Sequence, residues 1–200
     1  MRNPLHRRPL HTVVPSAVLL VSIGLLSGCM ATPAPPNTAS PVAKATAAPA
    51  EAPPIFASND EALAAAEAAY TAYLSAGDTA GEIGSDSWNE YLAMTTGTER
   101  DGEVSSQTRL EERGRSITGS TTFDSMTVQT SSALDDGTWE VRTYVCFDIT
   151  NSSMIEADGQ QVADTGPQRW PMVVRFVTPQ KDSQQLLISE STVWSGSNFC

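Results

Sequence analysis

Trp139-Glu140-Val141-Arg142-Thr143-Tyr144-Val145-Cys146-Phe147-Asp148 decides how the rest of the chain is read. Its residues alternate at a period of two. Trp139, Val141, Thr143, Val145, Phe147 and Ile149 therefore share one face, and Glu140, Arg142, Tyr144, Cys146 and Asp148 the other. This predicts a strand over Thr138 to Thr150 with one face on a core. Upstream, Asp135-Asp136-Gly137 is turn chemistry, and the threonine, valine and serine run from Ile117 to Ser132 predicts the strand before it. Downstream, Asp158-Gly159 marks a turn, Arg169 to Thr178 a strand, Lys181-Asp182-Ser183 a turn, and Leu186 to Trp194 a last strand. Four strands in succession joined by turns predict an antiparallel meander.

Ahead of the strands the period is helical. Ser58-Asn59-Asp60-Glu61 has the spacing of a capping box. Leu63, Ala66, Tyr70, Tyr73 and Leu74 follow on one face, and Gly77 stands where a C-terminal cap belongs. A second, shorter helix is expected over Ser85 to Thr95, with Trp88, Tyr91 and Leu92 at helical spacing. The polar stretch Gly97 to Arg115 reads as a mobile connection with a helical turn around Thr108 to Glu112, and Asn151-Ser152-Ser153, which fits a glycosylation acceptor pattern, reads as a loop. Helices followed by antiparallel strands predict an α+β domain over residues 55–200, with N-terminal helices packed on a curved four-stranded sheet.

The segment before that domain has a different composition. Residues 30–54 are almost entirely alanine, proline, threonine and small polar residues, with prolines at 33, 35, 36, 41, 49, 53 and 54. Such a stretch cannot bury a core and is expected to act as a disordered tether. Residues 1–28 carry Arg2, Arg7 and Arg8, no acid, and the apolar run Ala17 to Leu26, which is the layout of an export signal. The run is about half the roughly 20 residues a spanning helix needs. Leu26-Ser27-Gly28-Cys29 resembles the lipobox of bacterial lipoproteins. That resemblance implies cleavage between Gly28 and Cys29, and a diacylglyceryl group on the Cys29 thiol with palmitate among its acyl chains. Buried acyl chains contribute about 0.8 kcal/mol per CH₂, and two chains anchor firmly where one does not. The implied location is the extracytoplasmic face of the cell membrane, reached by either the general or the twin-arginine export route.

Cleavage there leaves nine basic and 23 acidic residues, a formal charge of −14, and removes both histidines, His6 and His11. A chain of that charge is unsuited to nucleic acid or to anionic lipid head groups. Without histidine it lacks the commonest general base, the Ser-His and Cys-His nucleophile pairs, and the imidazole ligands of most catalytic zinc sites. With Cys29 lipidated, Cys146 and Cys200 are left in an oxidising compartment and are expected to form a disulfide. There is no phosphate-binding loop, dinucleotide fingerprint, nucleophile elbow or zinc-protease motif, so no cofactor, metal or catalytic residue is assigned.

The order of features resembles the NTF2-like, or cystatin-like, cone of small actinobacterial lipoproteins. It is carried by the lipobox, the tether, Tyr70 and Tyr73, Trp88, Val145-Cys146-Phe147-Asp148, the Asp158-Gly159 turn and the terminal Val193-Trp194 before Cys200. The resemblance implies a first helix closing over the concave face of the sheet and a pocket lined by Tyr70, Trp88, Tyr91, Arg142, Tyr144, Asp148, Arg175 and Trp194. A simpler reading makes the aromatics core and the arginines cover for a solvated face. The expected function is a non-enzymatic binding or interaction module, with homodimerisation or an envelope protein partner through the sheet. The rival is a small-molecule binder or a carboxylate-based isomerase or dehydratase, with Asp148 as base and Tyr144 as donor.

Overall fold

Three helices precede the sheet: α1 (Asn59–Gly77), α2 (Asp86–Leu92) and α3 (Gly97–Glu112). The strands are β1 (Ser116–Gly119), β2 (Thr122–Ala133), β3 (Trp139–Asp148), β4 (Ser152–Ile155), β5 (Arg169–Val177) and β6 (Leu187–Val193). This computed structural model describes residues 54–200; the expected signal segment, Gly28, Cys29 and nearly all of the tether lie outside the described residues. The domain is α+β, with an antiparallel sheet in the order β2-β3-β5-β6 and a separate two-stranded arm of β1 and β4.

α1 starts where its cap chemistry dictates. The Ser58 hydroxyl accepts from the Glu61 amide at 3.2 Å, and the Glu61 carboxylate accepts from the Ala57 amide at 2.7 Å. Ala62, Ala66, Tyr70, Tyr73 and Leu74 form its buried stripe. At the other end Gly77 is not the expected left-handed cap, because the helix ends on Asp78 in a right-handed conformation. The missing side chain serves packing instead: a Cβ on Gly77 would stand 3.0 Å from the Tyr91 ring. Asp78 then fastens the sheet, its Oδ1 accepting from the Thr121 amide and hydroxyl, both at 2.9 Å.

The inner sheet face is the one predicted from β3. Val141, Val145, Val174, Phe176 and Ile188 are fully buried beneath the helices, and Tyr70 meets Phe123 and Phe176 edge-on. Burying each such aliphatic side chain contributes about 1.5–3 kcal/mol. The backbone between α2 and α3 seals one edge of the sheet: the Ile188 amide donates to the Met94 carbonyl at 3.0 Å and the Thr96 amide to the Ile188 carbonyl at 2.8 Å.

Three elements differ from the expectation. The stretch read as a mobile connection is the 16-residue helix α3, which has no buried residue and no apolar stripe. Polar contacts hold it instead, among them the Arg100 guanidinium on the Leu92 carbonyl at 2.7 Å and the Glu111 carboxylate on the Ile83 amide at 2.9 Å. Hydrophobic periodicity is blind to such contacts. The strand expected over Ile117 to Ser132 is two strands, broken at Gly119, whose φ of +96° no ordinary strand residue adopts. Its first part pairs with Ser152–Ile155, which overlaps the loop expected at Asn151-Ser152-Ser153, in the register Ser116↔Ile155 to Gly119↔Ser152. Arg115 and Glu156 close that arm with bonds of 2.9 and 2.6 Å.

Candidate functional site

Of the eight residues expected to share a pocket, the structure brings only Tyr70, Trp88 and Tyr91 to one. They line a cleft of about 930 Å³ between the helices, the inner sheet face and the arm. Arg142, Arg175 and Trp194 border a smaller hollow of about 250 Å³ on the opposite sheet face, and Tyr144 and Asp148 share their face of β3. The physical reason is the alternation itself, since side chains one residue apart on a strand point to opposite faces. The two arginines flank the Glu140 carboxylate there as ion pairs, Arg175 in close contact and Arg142 at 3.6 Å.

The outer face is organised by the C-terminal tail. Cys146 and Cys200 form the expected disulfide, with Cα atoms 5.5 Å apart, and Trp194 and Phe199 meet Tyr144 edge-on at centroid distances of 5.2 and 5.7 Å. Asp148 accepts from Arg169 at 3.1 Å and from the Thr150 amide at 2.8 Å. Hydrogen bonds from Thr150 first, and then the Arg169 charge, hold its carboxyl below the usual range, the wrong direction for a general base near neutral pH.

The chemistry of the cleft comes from residues that sequence patterning did not single out. Glu99 and Glu103, one turn apart on α3, turn toward the Tyr73 hydroxyl, at 2.9 and 2.7 Å. Tyr73 stacks on Tyr70 and Tyr91 at centroid distances of 5.8 and 5.2 Å, and Trp88 packs against Tyr91 at 5.7 Å. Aromatic pairs of this kind contribute about 0.5–1.5 kcal/mol each beyond area burial. Burial first, and the Glu103 charge after it, raise the Glu99 carboxyl above its ordinary value, against hydrogen bonding from Tyr73 and Ser191 that lowers it. Burial first, and the neighbouring carboxylates with it, likewise keep the hydroxyls of Tyr70, Tyr73 and Tyr91 protonated. The one sequence signal for the two glutamates was their i, i+4 spacing, a like-charge pair that costs a helix stability unless something else uses it. Among the described residues, no three ligating side chains converge as a metal centre.

No protein-family model matches the chain, and no curated protein does. Three solved structures are similar in chain path. The intermembrane-space region of chloroplast protein ARC6 is 12% identical, with a TM-score of 0.45 over 67% of this chain and 97% of that one. A protein from Catenulispora acidiphila is 16% identical, at 0.41 over 68% and 93%. Aln2 from a Streptomyces species is 15% identical, at 0.36 over 69% and 92%.

Proposed function

We propose that this protein is a lipid-anchored, extracytoplasmic binding module of the NTF2-like cone type, held to the membrane through Cys29 and receiving a small ligand in the cleft between its helices and sheet. The observation that carries the reading is the cleft: at about 930 Å³ it has the size of a small-molecule site, and two of its carboxylates converge on one point, the Tyr73 hydroxyl. The lipobox pattern of residues 26–29 and the proline-rich tether supply the anchoring half. Binding is favoured over the carboxylate-enzyme alternative because Asp148 and Tyr144 lie on the sheet face opposite the cleft, and Asp148 is committed to Arg169.

Each half has its own test. Membrane fractionation of cells carrying Cys29→Ser is expected to release the protein to the soluble fraction; unchanged sedimentation with the membrane would overturn the anchor. Ligand-observed NMR against a small-molecule library is expected to yield binders that are lost on filling the cleft with Ser191→Trp, a residue that lines it. Binders indifferent to that substitution would remove the cleft as the site.

A further inference from the structure

The cleft is unusual in its charge. Five carboxylates line it, Asp78, Glu82, Glu99, Glu103 and Glu111, against one guanidinium, Arg115, which Glu156 already occupies with two bonds. Asp78 and Glu111 are likewise engaged, by Thr121 and by the Ile83 amide. Glu99 and Glu103 are different. Both reach the Tyr73 hydroxyl, yet that hydroxyl has a single proton and can donate to only one acceptor at a time. Among the described residues neither glutamate has an ion-pair partner. Two carboxylates brought this close, one of them raised by burial and by the other's charge, repel each other until a proton or a further positive group joins them.

A second, independent observation lies beside them. Tyr70 is 2% exposed, lines the same cleft, and its hydroxyl meets no hydrogen-bond partner among the described residues. A buried polar group left open toward a cavity is a place for a ligand. Aromatic rings, paired carboxylates and an open hydroxyl together form the recognition chemistry of an organic cation, whose charge is attracted by carboxylate and by ring faces alike.

We propose that the cleft binds a small organic cation, a protonated amine or quaternary ammonium on an apolar body, with its charge between Glu99 and Glu103 and its body on the aromatic wall of Tyr70, Tyr73 and Tyr91. This rests on the cleft being a ligand site. A metal ion is disfavoured because only two carboxylates converge, and an anion because the one basic group lining the cleft is already paired.

The test uses three probes of one shape and different charge: benzylamine, benzyl alcohol and benzoate, titrated into the full chain in neutral detergent and followed by ligand-observed NMR. Benzylamine is expected to bind at least about tenfold more tightly than benzyl alcohol, with no binding of benzoate. The double variant E99Q/E103Q removes both charges at nearly constant side-chain size and is expected to abolish that preference, so that benzylamine binds no more tightly than benzyl alcohol. Thermal melts of the variant check that it is folded. If benzyl alcohol binds as well as benzylamine, and Ser191→Trp removes both, the cleft stands as a site and the cation assignment is overturned. If no probe binds, or binding survives Ser191→Trp, both the assignment and the cleft reading fall.

Discussion

Substituting Cys200→Ser cuts the bond that ties the last residue of the chain to the middle of the sheet. The disulfide spans 54 residues, and in the chain-entropy description a loop of that size contributes about 4 kcal/mol through the unfolded state. The native state adds to this. Trp194 and Phe199 pack edge-on against Tyr144, and those two contacts, each about 0.5–1.5 kcal/mol, weaken once the tail is free to leave. The combined loss is about 5 kcal/mol, a large part of the roughly 5–15 kcal/mol typical of a domain. At about 2–4 °C per kcal/mol for a chain of this length, the melting temperature is expected to fall by roughly 10–20 °C. Cys200 is the better target because it is exposed, whereas Cys146 is 1% exposed and its replacement would also disturb the core. Urea unfolding followed by tryptophan fluorescence, with and without reductant, measures the effect. Wild type under reductant should approach the variant, and the variant should be insensitive to reductant. A midpoint within error of oxidised wild type would refute the reasoning, since it would mean that the loop is not closed in the native protein.

Two further outcomes follow from single residues. Gly119→Ala forces a side chain into a backbone at φ +96° and against the Asn151 carbonyl, at a cost of about 1–3 kcal/mol; hydrogen exchange is expected to rise in Ser116–Gly119 and Ser152–Ile155 while β3 and β5 stay protected, and uniform exchange across the domain would sink the idea of a separable arm. Glu99→Gln removes a carboxyl whose folded value is raised above its unfolded value of about 4.3. The folded state then binds the proton more tightly, so the wild type loses stability as pH rises from the unfolded value through the folded one. The variant is expected to match wild type below pH ~4 and to exceed it toward neutral pH; a stability difference independent of pH would contradict the burial of Glu99.

The sequence by itself determined the parts of the fold whose signals are local. The cap at Ser58, the stripe ending at Tyr70, Tyr73 and Leu74, and the alternation of Trp139 to Asp148 each state which residues turn inward, because helical and strand periods are properties of the backbone. The Cys146–Cys200 pairing followed in the sequence from the expectation of an exported chain with Cys29 taken by lipid, and the disulfide itself is present in the structure. Residues 26–29 carry a resemblance to a lipobox, and its test lies in the cell.

Only the tertiary structure decided the site. Tyr144, Arg142 and Asp148 belong to the same strand as the core residues, yet the sheet separates them from the cleft by its own thickness. α3 carries no apolar stripe, so nothing in its pattern announced that Glu99 and Glu103 would face the Tyr73 hydroxyl across the cleft. That arrangement depends on where α3 docks, through the Thr96 amide on Ile188 and the Arg100 guanidinium on Leu92, contacts between residues up to 92 positions apart. Local chemistry sets the period of each element. Long-range hydrogen bonds choose which of its faces meet, and here they placed two carboxylates beside three tyrosines.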